Sequence, residues 1–253
     1  DAPPERFDTL RKILERRIRY WHCRPMPEDE SYVVSPADAR VLVGSLATDS
    51  SLHLEDRFFE IEGLLALEKR VWSDAFAAGD VAICRLTPDK YHYNHVPVSG
   101  VVIDFYEIDV ASHTPQPSAV VATTTPFAKG PRSVTVIDTD VPGGSQVGRV
   151  AMVEIVAATI GEVVQCYSET LYDDPLPVHR GMFLERGAPK SLFRPGSSID
   201  VLLFEPGRIR FAADLVAHRF DLKLASHLSA AFGAPFVETD VAVRSPIARR
   251  VGT

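Results

Sequence analysis

The runs Ser133-Val134-Thr135-Val136-Ile137-Asp138 and Arg149-Val150-Ala151-Met152-Val153-Glu154-Ile155-Val156-Ala157-Ala158, with Pro142-Gly143-Gly144 between them, decide the fold. Two segments rich in Val and Ile flank a Pro-Gly-Gly turn, which is the pattern of strands folded back on each other. Gly143-Gly144-Ser145-Gln146-Val147-Gly148 has the glycines of a dinucleotide loop, but it lies between two strands instead of opening a helix, so it reads as a hairpin turn. Working outward, Val41–Leu46, Val81–Leu86, Val101–Val110 and Ile199–Glu205 repeat the β signal, and Pro206-Gly207 marks another turn. A helical interruption is expected near Ile61–Phe76, and Asp214–Phe232 has mixed periodicity. No fixed repeat or linker divides the chain. The expected fold class is α+β, predominantly antiparallel β: a compact barrel- or sandwich-like domain over 31–253, peripheral helices, and an N-terminal amphipathic helical segment over 1–30.

The 253 residues are 45% apolar and 9% aromatic, enough for a substantial core, which excludes disorder, collagen-like sequence and disulfide miniproteins. The net charge of −7 argues against a general nucleic-acid binder. Cys23, Cys84 and Cys166 are odd in number and far apart, with no CxxC, so a reducing compartment is the simpler reading. No apolar run approaches the roughly 18 residues that span a bilayer, and no signal-peptide pattern opens the sequence. An upstream anchor stays open, since the sequence begins at Asp1 rather than Met.

Basic charge gathers at the amino-terminal end. Phe7, Leu10, Leu14, Ile18 and Trp21 recur at helical spacing, with Arg6, Arg11, Lys12, Arg16, Arg17 and Arg19 around the rest of the circumference. Pro25 and Pro27 are expected to stop this helix. It fits two roles, a helix packed on its own domain or one lying on an anionic membrane surface with Trp21 at headgroup level.

Three polar segments invite chemistry. Asp173-Asp174-Pro175 is an acidic turn without convergent oxygen ligands, and no metal is expected there. Tyr91-His92-Tyr93-Asn94-His95-Val96-Pro97-Val98-Ser99-Gly100 places two histidines three apart; a zinc site would need a third ligand, which leaves a structural role or acid–base work. Arg194-Pro195-Gly196-Ser197-Ser198-Ile199 puts a Gly-Ser bond before an apolar strand. It is either a plain turn or a bond whose unhindered carbonyl the serine hydroxyl attacks when a base takes its proton.

Three blocks together resemble the phosphatidylserine decarboxylases, a family of self-processing pyruvoyl enzymes. Ser35-Pro36-Ala37-Asp38 is similar to the family's PADG segment, Tyr91–Gly100 to its YHxxHxPxxG segment, and Phe193–Ser198 followed by Val201–Gly207 to its cleavage motif. Weaker matches at Lys129–Arg132 and Val150–Glu154 fall in the right order, so the likeness covers roughly residues 30–245. The resemblance implies an Asp38-His95-Ser197 triad that cuts the Gly196–Ser197 bond, with Asp38 fixing the His95 tautomer, and His92 as the histidine of decarboxylation. It implies a β chain 1–196, an α chain 197–253, and a covalent pyruvoyl cofactor derived from Ser197 that acts on phosphatidylserine through a Schiff base. It further implies a homodimer at, or near, the cytoplasmic face of an anionic membrane, or in the cytoplasm. Ala39, Asp89-Lys90, Tyr93, Val156 and Arg186–Ser191 depart from the family pattern. They leave open a free aromatic amino acid as substrate, and a non-processing lipid-binding or scaffold homologue as the reading from another class.

Overall fold

The structure, a computed structural model, describes residues 7–47, 52–54, 57–59, 61–109, 131–156, 161–194, 198–219 and 237–252. The described helices are α1 (Leu10–Leu14), α2 (Tyr20–Cys23), α3 (Ile61–Leu65), α4 (Arg70–Phe76) and α5 (Ala213–Arg219), with a 3-10 turn over Leu67–Lys69. The strands begin with β1 (Tyr32–Val34), β2 (Ala39–Ser45), β3 (Leu52–Leu54), β4 (Arg57–Phe59), β5 (Asp80–Leu86), β6 (Tyr93–His95), β7 (Gly100–Ile108) and β8 (Arg132–Asp138). They continue with β9 (Arg149–Val156), β10 (Val163–Gln165), β11 (Phe183–Leu184), β12 (Pro189–Phe193), β13 (Ser198–Phe204), β14 (Ile209–Phe211), β15 (Thr239–Val241) and β16 (Pro246–Arg250).

Eight strands form one antiparallel sheet in the order β11-β7-β8-β9-β13-β5-β2-β15. It ends in edge strands and is therefore open, the sandwich-like form of the expected architecture. Its middle is made of the six strands that the Val/Ile runs announce, β7, β8, β9, β13, β5 and β2, lying side by side. β8 and β9 pair from Arg132↔Ile155 to Asp138↔Arg149, so the glycine-rich segment between them is a hairpin connection, with Gly143 and Gly148 at positive φ. β13 is buried along its whole length. Ile199, Val201 and Leu203 meet Leu64, Leu65 and Phe76 of the helical layer, while Leu202 and Phe204 enter a second core with Val96, Phe193 and Ile247. Covered on both faces, this strand reads as a near-continuous apolar run rather than an alternation. The second core separates the large sheet from two small ones, β10-β12-β6 and β1-β16-β14.

Of the helix expectations, the one at the amino terminus is corrected, and the one near Ile61–Phe76 is met by α3, the 3-10 turn and α4. The helix expected over Phe7–Trp21 is two short pieces, because the residues between them spend their polar groups on distant parts of the chain. Arg16 donates to the Asp89 carbonyl at 2.8 Å, and the Ile18 amide and carbonyl both bond the Tyr172 hydroxyl, at 3.2 and 2.8 Å. An amide committed to a side chain cannot close a helical turn. The helix near Ile61–Phe76 breaks at Ala66, which has φ +75°. The Arg132 guanidinium donates to the carbonyls of Gly63 and Leu64 at the end of α3, satisfying groups that a helix end leaves open. Of the segment Asp214–Phe232, residues through Arg219 are helical and the rest lies outside the described residues.

Candidate active site

Pairing of β6 with β12 sets the levels of the two histidines. His95 lies opposite Pro189, Asn94 opposite Ser191 and Tyr93 opposite Leu192, and the His92 carbonyl accepts the Phe193 amide at 3.0 Å. His92 is thus level with Phe193, at the end of β12 that leads toward Gly196-Ser197, and His95 is level with the opposite end. Gly196 and Ser197 themselves lie outside the described residues. Beyond them, Ser198 opens β13 between Leu86 of β5 and Val156 of β9.

His95 is fully buried. Its Nδ1 is 2.8 Å from the Gly187 carbonyl and its Nε2 is 3.0 Å from the Tyr91 hydroxyl. A carbonyl only accepts, so Nδ1 carries the hydrogen and Nε2 is the basic nitrogen. Gly187 presents that carbonyl at φ +80°, where a Cβ would collide with the Met26 sulfur. Burial pushes the imidazole down to about 3; the Gly187 bond opposes it, the charge of Arg244 adds to it, and Asp38 raises it. The ring is neutral at physiological pH and lies edge-on to Tyr20, with centroids 4.7 Å apart. Tyr91 stacks on Tyr93, and its hydroxyl is 2.7 Å from that of Tyr172.

Asp38 is buried close by, but its oxygens are committed elsewhere. Arg24 holds both, at 2.8 and 2.6 Å, and the Val243 amide donates to one at 2.8 Å. The contact expected between Asp38 and His95 is therefore replaced: the Gly187 carbonyl sets the tautomer, and Asp38 acts on the imidazole through space. His92 is 2% exposed and donates Nδ1–H to the Lys90 carbonyl at 2.8 Å, leaving Nε2 as its basic nitrogen. Burial lowers its affinity for a proton; the Lys90 bond opposes this, Arg16 adds to it, and Asp89 opposes it.

A second polar group lies between the sheets, built from residues for which no role was expected from the sequence. Glu154 of β9 and Lys190 of β12 form an ion pair at 2.6 Å with both side chains wholly buried. Ser191 and Asn94 complete the shell of one carboxylate oxygen, and Gln165 bonds both partners. Asp200 of β13 lies opposite Glu154 and Cys84, fully buried, with neither carboxyl oxygen hydrogen-bonded. Burial drives its proton affinity far up, Glu154 adds to this, and Lys190 opposes it. A lone charged residue inside an apolar run is the signal that could have found Glu154, Lys190 and Asp200. Tyr172, Arg24 and Gly187 carry no such local signal.

Asp200 leads to a stability prediction. A carboxyl whose folded proton affinity is raised keeps its proton where the unfolded chain, with the ordinary value of about 3.9, releases it. The folded state therefore loses relative stability as pH rises above that value. Asp200→Val is expected to stabilise the fold at pH 7 by about 1–3 kcal/mol, the scale for a buried polar group without a partner, and so to raise the urea midpoint. The gain should be smaller at pH 5 than at pH 7. A loss of stability at both pH values would contradict this account of the side chain.

The sequence profile described as phosphatidylserine decarboxylase matches residues 10–228. The chain is 34% identical over 220 residues to phosphatidylserine decarboxylase proenzyme 2 of Oryza sativa subsp. japonica, covering 85% of this chain and 32% of the rice protein. It is 33% identical over 213 residues to the phosphatidylserine decarboxylase proenzyme of Chlamydia muridarum, covering 84% and 64%. With the proenzyme of Halorhodospira halophila the identity is 30% over 225 residues, covering 86% and 73%. The chain thus spans a third of the rice relative and just under two thirds of the Chlamydia muridarum one.

Proposed function

The chain belongs to the phosphatidylserine decarboxylase family, and from that premise we propose that it is a precursor that cuts itself at Gly196–Ser197 and then decarboxylates phosphatidylserine to phosphatidylethanolamine. The observation that carries the reading is the family match over residues 10–228, which takes in Asp38, both histidines and the Gly-Ser bond. A buried, neutral imidazole with Nδ1–H fixed by a carbonyl supports it as well.

In this reading His95 accepts the Ser197 hydroxyl proton at Nε2 while the oxygen attacks the Gly196 carbonyl carbon. The amide becomes an ester; elimination gives dehydroalanine, and hydrolysis releases ammonia. A pyruvoyl group at the new amino terminus would supply a carbonyl that takes the substrate amine and accepts the electron pair left as carbon dioxide departs. The described flanks fit that group. Phe193 is held in the small sheet and Ser198 in the large one, so both ends stay anchored when the bond opens. His92, level with Phe193, is the acid–base group of this step: its basic Nε2 takes up a proton and passes it to the reacting carbon. The anionic surface expected as a partner is proposed for the amino-terminal segment, where Phe7 and Trp21 are exposed among arginines. No described helix is long and apolar enough to cross a membrane.

Cleaved protein should release carbon dioxide from phosphatidylserine in vesicles, and borohydride should trap the substrate amine on the α chain. His92→Ala should cut normally yet lose turnover by roughly a hundredfold or more, the scale for deleting an acid–base group. Carbon dioxide from free tryptophan or tyrosine but none from the lipid would change the substrate. A chain that neither cuts nor turns over any of them would favour the scaffold reading.

A further inference from the structure

We propose that Arg16 binds the phosphate of the substrate headgroup and holds it beside His92 while the carboxyl group leaves. This assignment rests on the substrate and the His92 role proposed above, and it names the residue that would tell a phospholipid from a free amino acid. Its basis is where the break between α1 and α2 puts residues 15–17. Arg16 donates through Nη2 to the Asp89 carbonyl at 2.8 Å, and His92 donates Nδ1–H to the next carbonyl along, that of Lys90, at 2.8 Å. Glu15 pairs with Arg194 at 3.2 Å, and Arg194 stands two residues before Gly196. The segment thus crosses the end of the small sheet where His92, Phe193 and the start of the cleavage motif meet, with the Arg16 guanidinium on the His92 side.

The cations around it are spent on other groups. Arg11 pairs with Glu15, Lys12 with Asp8, and Arg194 with Glu15 and Glu162, whereas among the described residues no carboxylate lies within ion-pair distance of Arg16. Arg17 bonds Tyr93 and lies over the Tyr172 ring, 5.3 Å from its centre. The Asp89 carboxylate accepts from the Thr87 hydroxyl at 2.5 Å. Arg16 itself is half-buried and oriented by two backbone carbonyls, those of Ile13 at 2.6 Å and Asp89, and a guanidinium has five N–H groups, so the others are left for a ligand. After burial and the Lys90 bond, the charge of Arg16 is the next influence on the proton affinity of His92, which it lowers, as a guanidinium within electrostatic reach of the ring does. Chemistry decides which anion this cation takes. In phosphatidylserine the phosphorus is three bonds from the carbon that loses carbon dioxide, so a group that protonates that carbon stands close to the phosphate too. The carboxylate loses its charge in the reaction, and a guanidinium bonded to it would hold the ground state more tightly than the transition state. The phosphate keeps its charge throughout, so a bidentate bond to it adds affinity without slowing the step.

The test is steady-state kinetics of the cleaved full-length protein on dihexanoyl phosphatidylserine below its micelle concentration, where no membrane surface takes part. Arg16→Gln should raise KM about tenfold to a hundredfold, the scale of a hydrogen bond to a charged group, with kcat little changed. Arg16→Lys keeps the charge but not the fork; it should raise KM less, and it carries the comparison if the glutamine variant does not cut. O-Hexyl serine keeps the amine and the carboxylate but lacks the phosphate, and it should inhibit lipid turnover equally well in parent and variants. Parental KM for the lipid in both variants would overturn the role of Arg16 alone. So would an equal loss of affinity for the lipid and for O-hexyl serine, which would put Arg16 on the carboxylate, or a rise in KM with phosphatidylserine vesicles but not with monomers, which would put it on the membrane surface. A cleaved parent that releases no carbon dioxide from the lipid would overturn the proposed substrate and the role of Arg16 with it.

Discussion

A Ser197→Ala chain is expected to run as one polypeptide on a denaturing gel, and His95→Ala to do the same. The first loses the oxygen that attacks the Gly196 carbonyl, and the second loses the nitrogen that takes its proton. Residues acting as one nucleophile-and-base unit typically cost about a millionfold singly and little more when removed together. The double variant should therefore look like either single one. Asp38→Asn should slow cleavage by less, because Asp38 reaches the imidazole through space and is bonded to Arg24 and Val243. In the parent, cleavage should not separate the products under native conditions, since the α chain begins beside β13, which is paired on both sides within the eight-stranded sheet. Cleavage of Ser197→Ala at the same bond would make the pyruvoyl reading wrong.

The largest stability effect is expected from Lys190→Met. Burial by itself would raise the proton affinity of Glu154, but the charge and hydrogen bond of Lys190, with Ser191 and Gln165, outweigh it, and the net shift is downward. Removing Lys190 leaves an uncompensated carboxylate between two sheets, which costs about 3–5 kcal/mol. The pH dependence has a defined sign. Without Lys190 the Glu154 carboxyl holds its proton above the unfolded value of about 4.3, so the deficit grows as pH rises past that value and shrinks below it. Urea midpoints at pH 7 and pH 4 measure both parts. Glu154→Leu combined with Lys190→Met should recover most of the loss, because the pair is then replaced by apolar groups instead of broken. A double variant as unstable as Lys190→Met would show that packing, and not the unpaired charge, sets the cost.

The sequence by itself determined the middle of the large sheet, because a strand's apolar run and its turn are local properties of the chain. β2, β5, β7, β8, β9 and β13 could be read from Val/Ile runs, and the Gly143–Gly148 connection from its place between two of them. The order of the Asp38, His92-His95 and Gly196-Ser197 blocks was legible for the same reason and led to the family. The tertiary structure alone decided what surrounds those residues. Phe7–Trp21 has helical periodicity, yet Tyr172, 154 residues from Ile18, takes the Ile18 amide and ends the helix. His95 is held by Gly187, 92 residues away, and Asp38 by Arg24 and by Val243, 205 residues away. Glu154 meets Lys190 because β9 and β12 belong to sheets that face each other across one core. Periodicity records which side of a segment avoids water; it carries no information about which distant polar group closes each hydrogen bond, since that follows from sheet order and register.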